Sequence, residues 1–426
     1  MRKVSFVLIF IFLSFCTFGK EKKVKEKREY PTVIEDVQNA EYKIINKNGM
    51  LFIKANVKIE NERSFPFIFL IDTGSASSYA FLESFSQLQE YFSVKIDGID
   101  YILCKAFFDG FIVENLLLNA YRNQNAYVKE LRQIFNDNDY YFGILGNDVL
   151  MNKSLMLSIS KGIFKWTDIN PLLEAEKTFC PVLDRICSKR GNIDYYQYSI
   201  YIDDKYFKSD VIDNPNFGFF NSPDKTKSRY FIDTGTYYIA TSNIDLYYQI
   251  KNRNLKSFTF NSEIMQKFGY ATIDKPFLLG KQFDSLECMS GGTPEMLKCL
   301  GNQFLAAYDI YFDKENTEKV QKIYFQQINA TDYEKYRLEN DKTYYYPAST
   351  FGFRANNALN RVTEKAFVNG DEYNKDIEIG DIIISINDVK YDEVKEWELP
   401  DYVTIQVKKR DGKIIKRKIQ RMYLKG

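Results

Sequence analysis

Two short motifs in this chain carry residue types suited to proton transfer. Residues 69–75 read FLIDTGS, and residues 230–236 read YFIDTGT. Each motif places an aspartate, Asp72 or Asp233, directly after an apolar run and follows it with threonine and glycine. The repetition of an acid in one local context predicts that two similar parts of the chain bring two carboxyl groups to one site.

Two carboxyl groups held close together can supply a general acid and a general base to one reaction. Like charges about 3 Å apart do not both ionise, so such a pair shares one proton. The ionised carboxylate takes a proton from a water molecule between the two groups, while the protonated carboxyl polarises a substrate carbonyl. Such a pair can perform both tasks that hydrolysis of a peptide bond by an activated water molecule requires.

Composition excludes other catalytic chemistries. The chain contains no histidine, which removes Ser-His-Asp and Cys-His catalysis and histidine-based zinc sites. No two cysteines have the CxxC spacing of a cysteine-rich zinc site. We therefore expect neither a metal nor an organic cofactor, and proton transfer falls to carboxylates, lysine, tyrosine or cysteine.

The residues after the two aspartates predict the supporting structure. The glycine of each motif lets the backbone turn tightly and approach closely, and each threonine hydroxyl can hydrogen-bond to the opposite loop. The hydroxyls of Ser75 and Thr236 can donate to the outer oxygens of the aspartates in their own loops. The predicted active-site loops comprise Thr73, Gly74, Ser75, Thr234, Gly235 and Thr236.

A second repeated motif indicates a duplication. Residues 145–150 read LGNDVL, and residues 300–305 read LGNQFL. The glycine follows the aspartate by 74 positions in the first half (146 minus 72) and by 68 in the second (301 minus 233). The aspartate motif itself returns after 161 positions (233 minus 72). A repeat of that length indicates a duplicated domain, because solenoid repeats have periods of about 20–50 residues.

Composition also predicts a mostly β protein. The 35 Phe and 32 Tyr residues favour strands, because aromatic side chains pack well on a pleated surface. Alternating apolar residues from Leu51 to Ile59 mark one such strand. The 58 basic and 57 acidic residues nearly cancel, so we do not expect nucleic-acid binding.

The two Asp-Thr-Gly motifs resemble the signatures of aspartic proteases of the pepsin and retropepsin clan. Residues 144–146 (ILG) and 299–301 (CLG) resemble the second signature of each lobe, which lies under the catalytic loop in that family. The resemblance covers about residues 40–330 and implies two pseudo-symmetric acid-protease β-barrel lobes that form one cleft. It also implies that Asp72 and Asp233 are catalytic and that the substrate is an extended protein or peptide.

The resemblance leaves two points open. Tyr101, between Gly98 and Gly110, is a candidate for the flap tyrosine of the family, and a core aromatic residue is the alternative. A non-catalytic protein of the cell envelope that binds extended peptides or acts as a scaffold is the alternative function.

The C-terminal part of the chain resembles a PDZ domain. Phe351, Gly352 and Phe353 resemble its carboxylate-binding loop, and residues 380–387 (GDIIISIN) resemble the strand signature of PDZ modules in bacterial exported proteases. The resemblance implies a small β/α domain that binds a substrate or partner peptide as an added strand. The sequence does not place the helix that lines such a groove.

The N-terminal residues predict export to the periplasm or cell envelope. Arg2 and Lys3 precede an apolar run over residues 4–15, and small residues suited to cleavage follow it. The run is shorter than the roughly 20 residues of a membrane-spanning helix. The residues before Cys16 loosely resemble a bacterial lipoprotein box, so a lipid anchor at Cys16 is the minority interpretation.

These observations divide the chain into segments and predict a monomer. The lysine-rich start of the charged linker is alternatively a pro-segment that covers the cleft. The segments are a signal peptide (1–19), a charged linker (20–38), aspartic protease lobe 1 (39–170), an interlobe connection (171–194), aspartic protease lobe 2 (195–330), a linker (331–348) and a PDZ-like domain (349–426).

The cysteines allow two disulfides in an exported chain. Cys180 lies close in sequence to Cys187, and Cys288 lies close to Cys299. Cys104 has no such neighbour and is expected to be a buried thiol. The alternative is that all five are reduced core residues.

Overall fold

The computed structural model describes most of the chain after residue 29. The predicted export signal, Cys16 and the first ten residues of the charged linker lie outside the described residues. The described residues are 30–37, 40–59, 63–121, 131–132, 134–136, 139–190, 192–203, 227–241, 257–262, 268–274, 277–279, 281–290, 298–341, 351–356, 359–368, 371–394 and 399–421.

The protein is mostly β, as its composition predicts. Strands ending in an aspartate motif recur in both halves. The elements of the first half are β1 (Val33–Asp36), β2 (Tyr42–Lys43), β3 (Ile45–Lys47), β4 (Met50–Lys58), β5 (Ser64–Ile71), β6 (Tyr79–Phe81), α1 (Leu82–Gln89), β7 (Val94–Ile96), β8 (Ile99–Phe108), β9 (Phe111–Tyr121), β10 (Tyr141–Leu145), α2 (Asn147–Leu150), β11 (Leu155–Ser158) and β12 (Ile163–Trp166).

The first half forms a closed six-stranded barrel. Its strands pair in the cyclic order β4, β5, β10, β6, β9, β8 and back to β4. Pairs β5–β10 and β6–β9 are parallel, and the other four are antiparallel. Closure leaves no unpaired edge in the barrel. Strand β5 is one of its six strands and leads directly to Asp72. The barrel therefore gives the first carboxyl group a rigid support.

The second half and the C-terminal unit continue the β architecture. Their elements are β13 (Lys177–Arg190), β14 (Ile193–Asp203), β15 (Lys227–Ile232), β16 (Ile239–Thr241), β17 (Ser257–Ser262), β18 (Phe268–Asp274), β19 (Phe277–Leu278), β20 (Lys281–Gln282), β21 (Ser285–Ser290), β22 (Cys299–Leu300), α3 (Asn302–Leu305), β23 (Tyr308–Asp313), β24 (Lys322–Gln327), α4 (Ala330–Asp341), β25 (Phe353–Asn356), β26 (Arg361–Val368), β27 (Asp371–Glu372), β28 (Ile382–Ile386), β29 (Val389–Lys390), β30 (Tyr402–Lys408) and β31 (Ile414–Gln420).

The second half repeats the strand order of the first. Strands β14, β15, β22, β16, β21 and β18 match β4, β5, β10, β6, β9 and β8 in order and in relative direction. The pair that closes the first barrel, β4–β8, has no counterpart among the described strands, so this half is a half-barrel. The repeated order agrees with the duplication that the sequence predicts.

A third sheet joins the two halves. Its order is β2, β12, β11, β23, β24 and β13, with β11 and β23 antiparallel at the centre. Leu155 pairs with Phe312, and Ser158 pairs with Asp309. Residues 171–194, predicted to be an interlobe connection, are largely the long strand β13, which pairs first with β24 and then with β14. The connection is thus itself part of both sheets.

Two predicted linkers are partly ordered elements. Residues 33–36 of the charged linker form β1, which pairs with β9. Residues 330–341 form helix α4, whose Tyr333 and Tyr336 are buried in the core of the second half. The helix is polar overall, so its few buried tyrosines give no clear apolar periodicity in the sequence.

The C-terminal unit has a core of its own but is joined to the second half by strand pairing. Its core includes Val362, Ile383, Ile405 and Val407. Strands β30 and β31 pair on either side of the turn at Asp411 and Gly412. Strand β26 also pairs antiparallel with β17, from Glu364 opposite Ser262 to Val368 opposite Phe258. One sheet therefore runs from the second lobe into this unit.

The cysteine pairs are not placed for disulfides. Cys180 and Cys187 lie on the single strand β13, seven residues apart, which at about 3.3 Å per residue separates them by about 23 Å. Cys288 is on β21 and Cys299 on β22, and β16 lies between these strands. Two strand spacings of about 4.8 Å exceed the reach of a disulfide. Cys104 is buried, as predicted.

The central pair β11–β23 should dominate the stability of the interlobe sheet. Ile310 on β23 is completely buried and lies opposite Leu157. The substitution Ile310→Ala should lower the free energy of unfolding by about 2–5 kcal/mol, measured by urea titration, because it leaves a cavity. Ile169→Ala is the matched control, since Ile169 is 76% exposed. Equal unfolding midpoints for the two variants would contradict this account.

Candidate active site

The two aspartates occupy equivalent positions at the ends of equivalent strands. The Asp72 N–H donates to the Leu145 carbonyl at 3.1 Å, and the Asp233 N–H donates to the Leu300 carbonyl at 3.1 Å. Each bond extends a parallel pair, β5–β10 or β15–β22, by one residue. The second repeated motif therefore lies directly beside each aspartate, as the sequence predicts.

The two loops are held together by a reciprocal exchange of hydrogen bonds between threonines. The Thr73 N–H donates to the Thr234 hydroxyl at 3.0 Å, and the Thr234 N–H donates to the Thr73 hydroxyl at 3.1 Å. The Thr73 hydroxyl donates to the Ile232 carbonyl (2.9 Å), and the Thr234 hydroxyl donates to the Ile71 carbonyl (2.8 Å). The expected contact of each threonine with the opposite loop is therefore present in both directions.

The glycines permit the two loops to touch. A Cβ atom on Gly74 would lie 2.6 Å from Cγ of Asp233, and one on Gly235 would lie 2.5 Å from Cγ of Asp72. No side chain fits at either distance. Each glycine also donates its N–H to Oδ1 of the aspartate in its own loop, at 2.8 Å in the first and 2.9 Å in the second. The carboxyl groups thus meet with fixed orientations.

The carboxyl groups of Asp72 and Asp233 lie against each other where the two loops meet, and each residue as a whole is only partly exposed. Burial raises the pKa of Asp72 well above its usual range, and the charge of Asp233 raises it further. Burial also raises the pKa of Asp233, while hydrogen bonds from Asp72, the Gly235 N–H and the Cys299 thiol oppose that rise. The arrangement is suited to keep one proton on the pair in moderate acid.

The expected role of the Ser75 hydroxyl is corrected by the structure. The Ser75 hydroxyl donates to the Ser77 carbonyl at 2.8 Å, and it is the Ser75 backbone N–H that lies against the Asp72 carboxyl. Thr236 meets Asp233 through its backbone N–H, which donates to the Asp233 carbonyl at 3.4 Å. Serine hydroxyls often hydrogen-bond to nearby backbone carbonyls, and the Ser75 hydroxyl bonds in this way to Ser77 instead of to Asp72.

Two asparagines, to which the sequence analysis assigned no role, contribute to the site. Asn147 Nδ2 donates to the threonine carbonyl of its own loop at 2.9 Å and to the Tyr196 carbonyl of the other half at 2.9 Å. Asn302 Nδ2 likewise donates to its own loop at 2.9 Å and to the Gly49 carbonyl of the other half at 2.8 Å. The recurrence of asparagine in the two Leu-Gly-Asn motifs is the sequence feature that could have identified both residues.

The hairpin β13–β14 reaches from the second half to the first catalytic loop. Gln197 Nε2 donates to the Gly74 carbonyl, and the Ser77 hydroxyl donates to the Ser188 hydroxyl at 2.9 Å. The Gly49 turn makes the opposite crossing, since its N–H donates to Oδ1 of Asn340 on α4 at 2.7 Å. Each half therefore supports the catalytic loop of the other.

A buried ion pair lies beside the first loop. Arg190 at the end of β13 donates to Oδ2 of Asp148 at 3.0 Å, and the Ser78 hydroxyl donates to Oδ1 at 2.6 Å. The guanidinium stands over the rings of Tyr101 (5.1 Å) and Tyr195 (4.7 Å). Tyr101 is thus a buried core residue, which was the alternative to a flap tyrosine. Long sequence separation hid this cluster from sequence reasoning.

The residues predicted to bind a peptide carboxylate lie in a tight turn of the C-terminal unit. Gly352 has a φ of +82°, which a glycine adopts readily, and the ring of Tyr373 packs against it. Phe351 and Phe353 are buried in the core of the unit. Asn374 Nδ2 donates to the Phe351 carbonyl at 2.6 Å. The buried side chains of Phe351 and Phe353 therefore fix the position of this turn.

The described residues between β29 and β30 contain no helix that could line the predicted peptide groove. Between β29 and β30 the described residues 391–394 and 399–401 contain one 3-10 turn, Tyr391–Glu393, and no α-helix. Strand β25, beside the glycine turn, pairs only with β26 among the described strands. An edge for strand addition is thus present without a described helix opposite it.

No family model matches the chain, and no curated protein matches it. No helix in the described part of the chain is long and apolar enough to cross a membrane. Within the same residues, no group of three His, Cys, Asp or Glu side chains is arranged to hold a metal ion.

The threonine exchange gives a first prediction for the site. Thr73→Val keeps the shape of the side chain but leaves the Thr234 N–H and the Ile232 carbonyl without their partner. Each buried group left unpaired costs about 1–3 kcal/mol, so the urea midpoint should fall clearly. Thr178→Val on the exposed face of β13 is the control. A fall no greater than that of the control would show that the exchange does not hold the loops.

The raised pKa of Asp72 predicts that Asp72→Asn stabilises the fold and that this gain in stability depends on pH. A carboxyl whose pKa is higher in the folded chain stabilises the fold below its unfolded pKa of about 3.9, and that stabilisation is lost as the pH rises through the folded pKa. Asparagine mimics the protonated form at every pH. The melting temperature of the variant, relative to the unaltered chain, should therefore rise from about pH 3 to pH 7.

The control for this measurement is Asp168→Asn, at an exposed position. Its difference from the unaltered chain should stay flat over the same pH range. A flat difference for Asp72→Asn as well would mean that the carboxyl is not buried against a second acid.

Proposed function

We propose that this chain is an aspartic endopeptidase that hydrolyses peptide bonds with a water activated by Asp72 and Asp233. The observation that carries the proposal is the close approach of these two carboxyl groups, which equivalent strands of the two halves deliver to one point. If each aspartate lay in an ordinary surface turn, the reciprocal hydrogen bonds between Thr73 and Thr234 would not be needed. The repeated strand order supports an assignment to the two-lobed acid-protease fold.

The chemistry follows from one proton on the pair. The ionised carboxylate takes a proton from a water molecule between the groups, and the water oxygen attacks the carbonyl carbon of the peptide. The protonated carboxyl donates to the carbonyl oxygen as negative charge develops there. The resulting gem-diol collapses when a proton passes to the leaving nitrogen, and the pair returns to its starting protonation.

The substrate in this proposal is an extended polypeptide. Both catalytic loops lie where the two halves meet, so a chain bound between the lobes would pass both carboxyl groups. Hairpin β7–β8, the first after Asp72, is the candidate flap, and nothing lies within 4 Å of a Cβ on Gly98 at its tip. Hairpin β17–β18 has the equivalent place in the second half.

The C-terminal unit is proposed to be a PDZ-like module. Its glycine turn, with Phe351 and Phe353 buried on either side, supports this assignment, and the edge of β25 is where an extended peptide would add as a strand. Export to the periplasm or cell envelope, and action as a monomer, belong to the same proposal. The charged start and apolar run of residues 2–15 are the support for export.

The decisive test compares Asp72→Asn, Asp233→Asn and the double variant with the unaltered chain. The substrate is a dye-labelled unfolded protein, assayed across about pH 3–7. Each single variant should lower turnover by at least about 10³-fold, which is about 4 kcal/mol of barrier. The double variant should be little worse, because residues acting as a unit are not additive. Asp168→Asn is the control and should cleave normally.

Binding and folding are measured on the same proteins. Fluorescence anisotropy of the labelled substrate should change little between variants, because the cleft is otherwise intact, and circular dichroism checks the fold. A pepstatin-type transition-state mimic should block cleavage. Binding without cleavage by the unaltered chain at every pH would reject the protease and favour the peptide-binding or scaffold function.

A further inference from the structure

The two catalytic aspartates differ in the residue beneath them. In the second half, Cys299 pairs with Phe231 and Leu300 pairs with Ile232. Ile232 and Leu300 both enter the main core. Because side chains alternate along a strand, Cys299 lies on the face to which Asp233 belongs. The register therefore places the thiol beside the Asp233 carboxyl, and a hydrogen bond from it opposes the rise in the pKa of Asp233.

The equivalent position in the first half is apolar. Ile144 pairs with Leu70 on β5, two residues before Asp72, and has the place in its strand that Cys299 has in β22. Ile144 packs into an apolar cluster with Leu70. Asp72 receives backbone N–H groups from Gly74 and Ser75, but isoleucine offers it no donor. The lobe symmetry is therefore broken by a thiol in one lobe.

We propose that Cys299 is a positioning residue of the dyad, whose thiol holds Asp233 as the ionised carboxylate and leaves the shared proton on Asp72. The proposal rests on the proposed protease function for its kinetic consequence, but the contact itself does not. An ionised carboxylate only accepts hydrogen bonds, and a thiol is a weak donor. The thiol therefore favours the charged form of its neighbour.

The roles of the two aspartates then follow. Asp233 takes the proton from the attacking water, and Asp72 donates its proton to the carbonyl oxygen. Among the described residues, Asp72 and Cys299 are the titratable groups whose contacts shift the pKa of Asp233. The Cys299 thiol keeps its proton throughout and forms no bond to substrate, so the proton balance of hydrolysis is unchanged.

The test compares Cys299→Ala with Cys299→Ser, a pair that differs by one hydroxyl donor. Both are placed in the Asp72→Asn background, where Asp233 titrates without its partner, and the ¹³C signal of the Asp233 carboxyl is followed by NMR. Loss of the donor should move the midpoint upward by about half a pH unit or more, since a hydrogen bond to a charged group stabilises the charged form. Serine should keep the midpoint near that of cysteine. Cys104→Ala, which removes a buried thiol inside the first barrel, should not move it.

The same substitutions in the otherwise unaltered chain give the kinetic readout. The acid limb of kcat/KM should move to higher pH in Cys299→Ala and should be restored in Cys299→Ser. A purely structural role would lower the melting temperature without moving either midpoint. Equal carboxyl midpoints for the alanine and serine variants would overturn the inference. If the unaltered chain cleaves nothing, the protease proposal fails, and the NMR titration still decides the role of Cys299.

Discussion

The site depends on one constraint: two carboxyl groups, which repel each other when both are ionised, are held against each other where two loops meet. Repulsion and desolvation both oppose this arrangement, so the surrounding structure must fix it. The fixing is done by backbone and threonine hydrogen bonds, supplemented by asparagines that reach across to the other half. Glycine at both contact points is required because any Cβ would enter the opposite carboxyl group.

The larger architecture serves the same constraint. A loop can be placed accurately only when the strand leading into it is held on both sides, and β5 and β15 are each so held. The interlobe sheet then fixes the distance between the halves through antiparallel pairing of β11 with β23. The chain crosses between halves at the Gly49 turn and at the β13–β14 hairpin, so neither catalytic loop is supported by its own half alone.

Sequence reasoning found the parts of this structure that are written in local patterns. The aspartate motifs, the Leu-Gly-Asn repeats and the β-rich composition predicted the duplication and the threonine contacts. It failed where the outcome depends on distant partners: Arg190 with Asp148, the strand character of β13, and the burial of α4. The Ser75 hydroxyl was assigned wrongly because two acceptors were within its reach, and only the path of the loop decides between them.

The pairing of β17 with β26 bears on how this protein is built from modules. An open half-barrel leaves a strand edge, and a bare edge is a template for association with other chains. Here the C-terminal unit lies along that edge, with Glu364 to Val368 opposite β17. The unit is therefore not an appendage that can be exchanged freely on a flexible tether. A recombined chain would need another cover for β17, so the two units are constrained to evolve together.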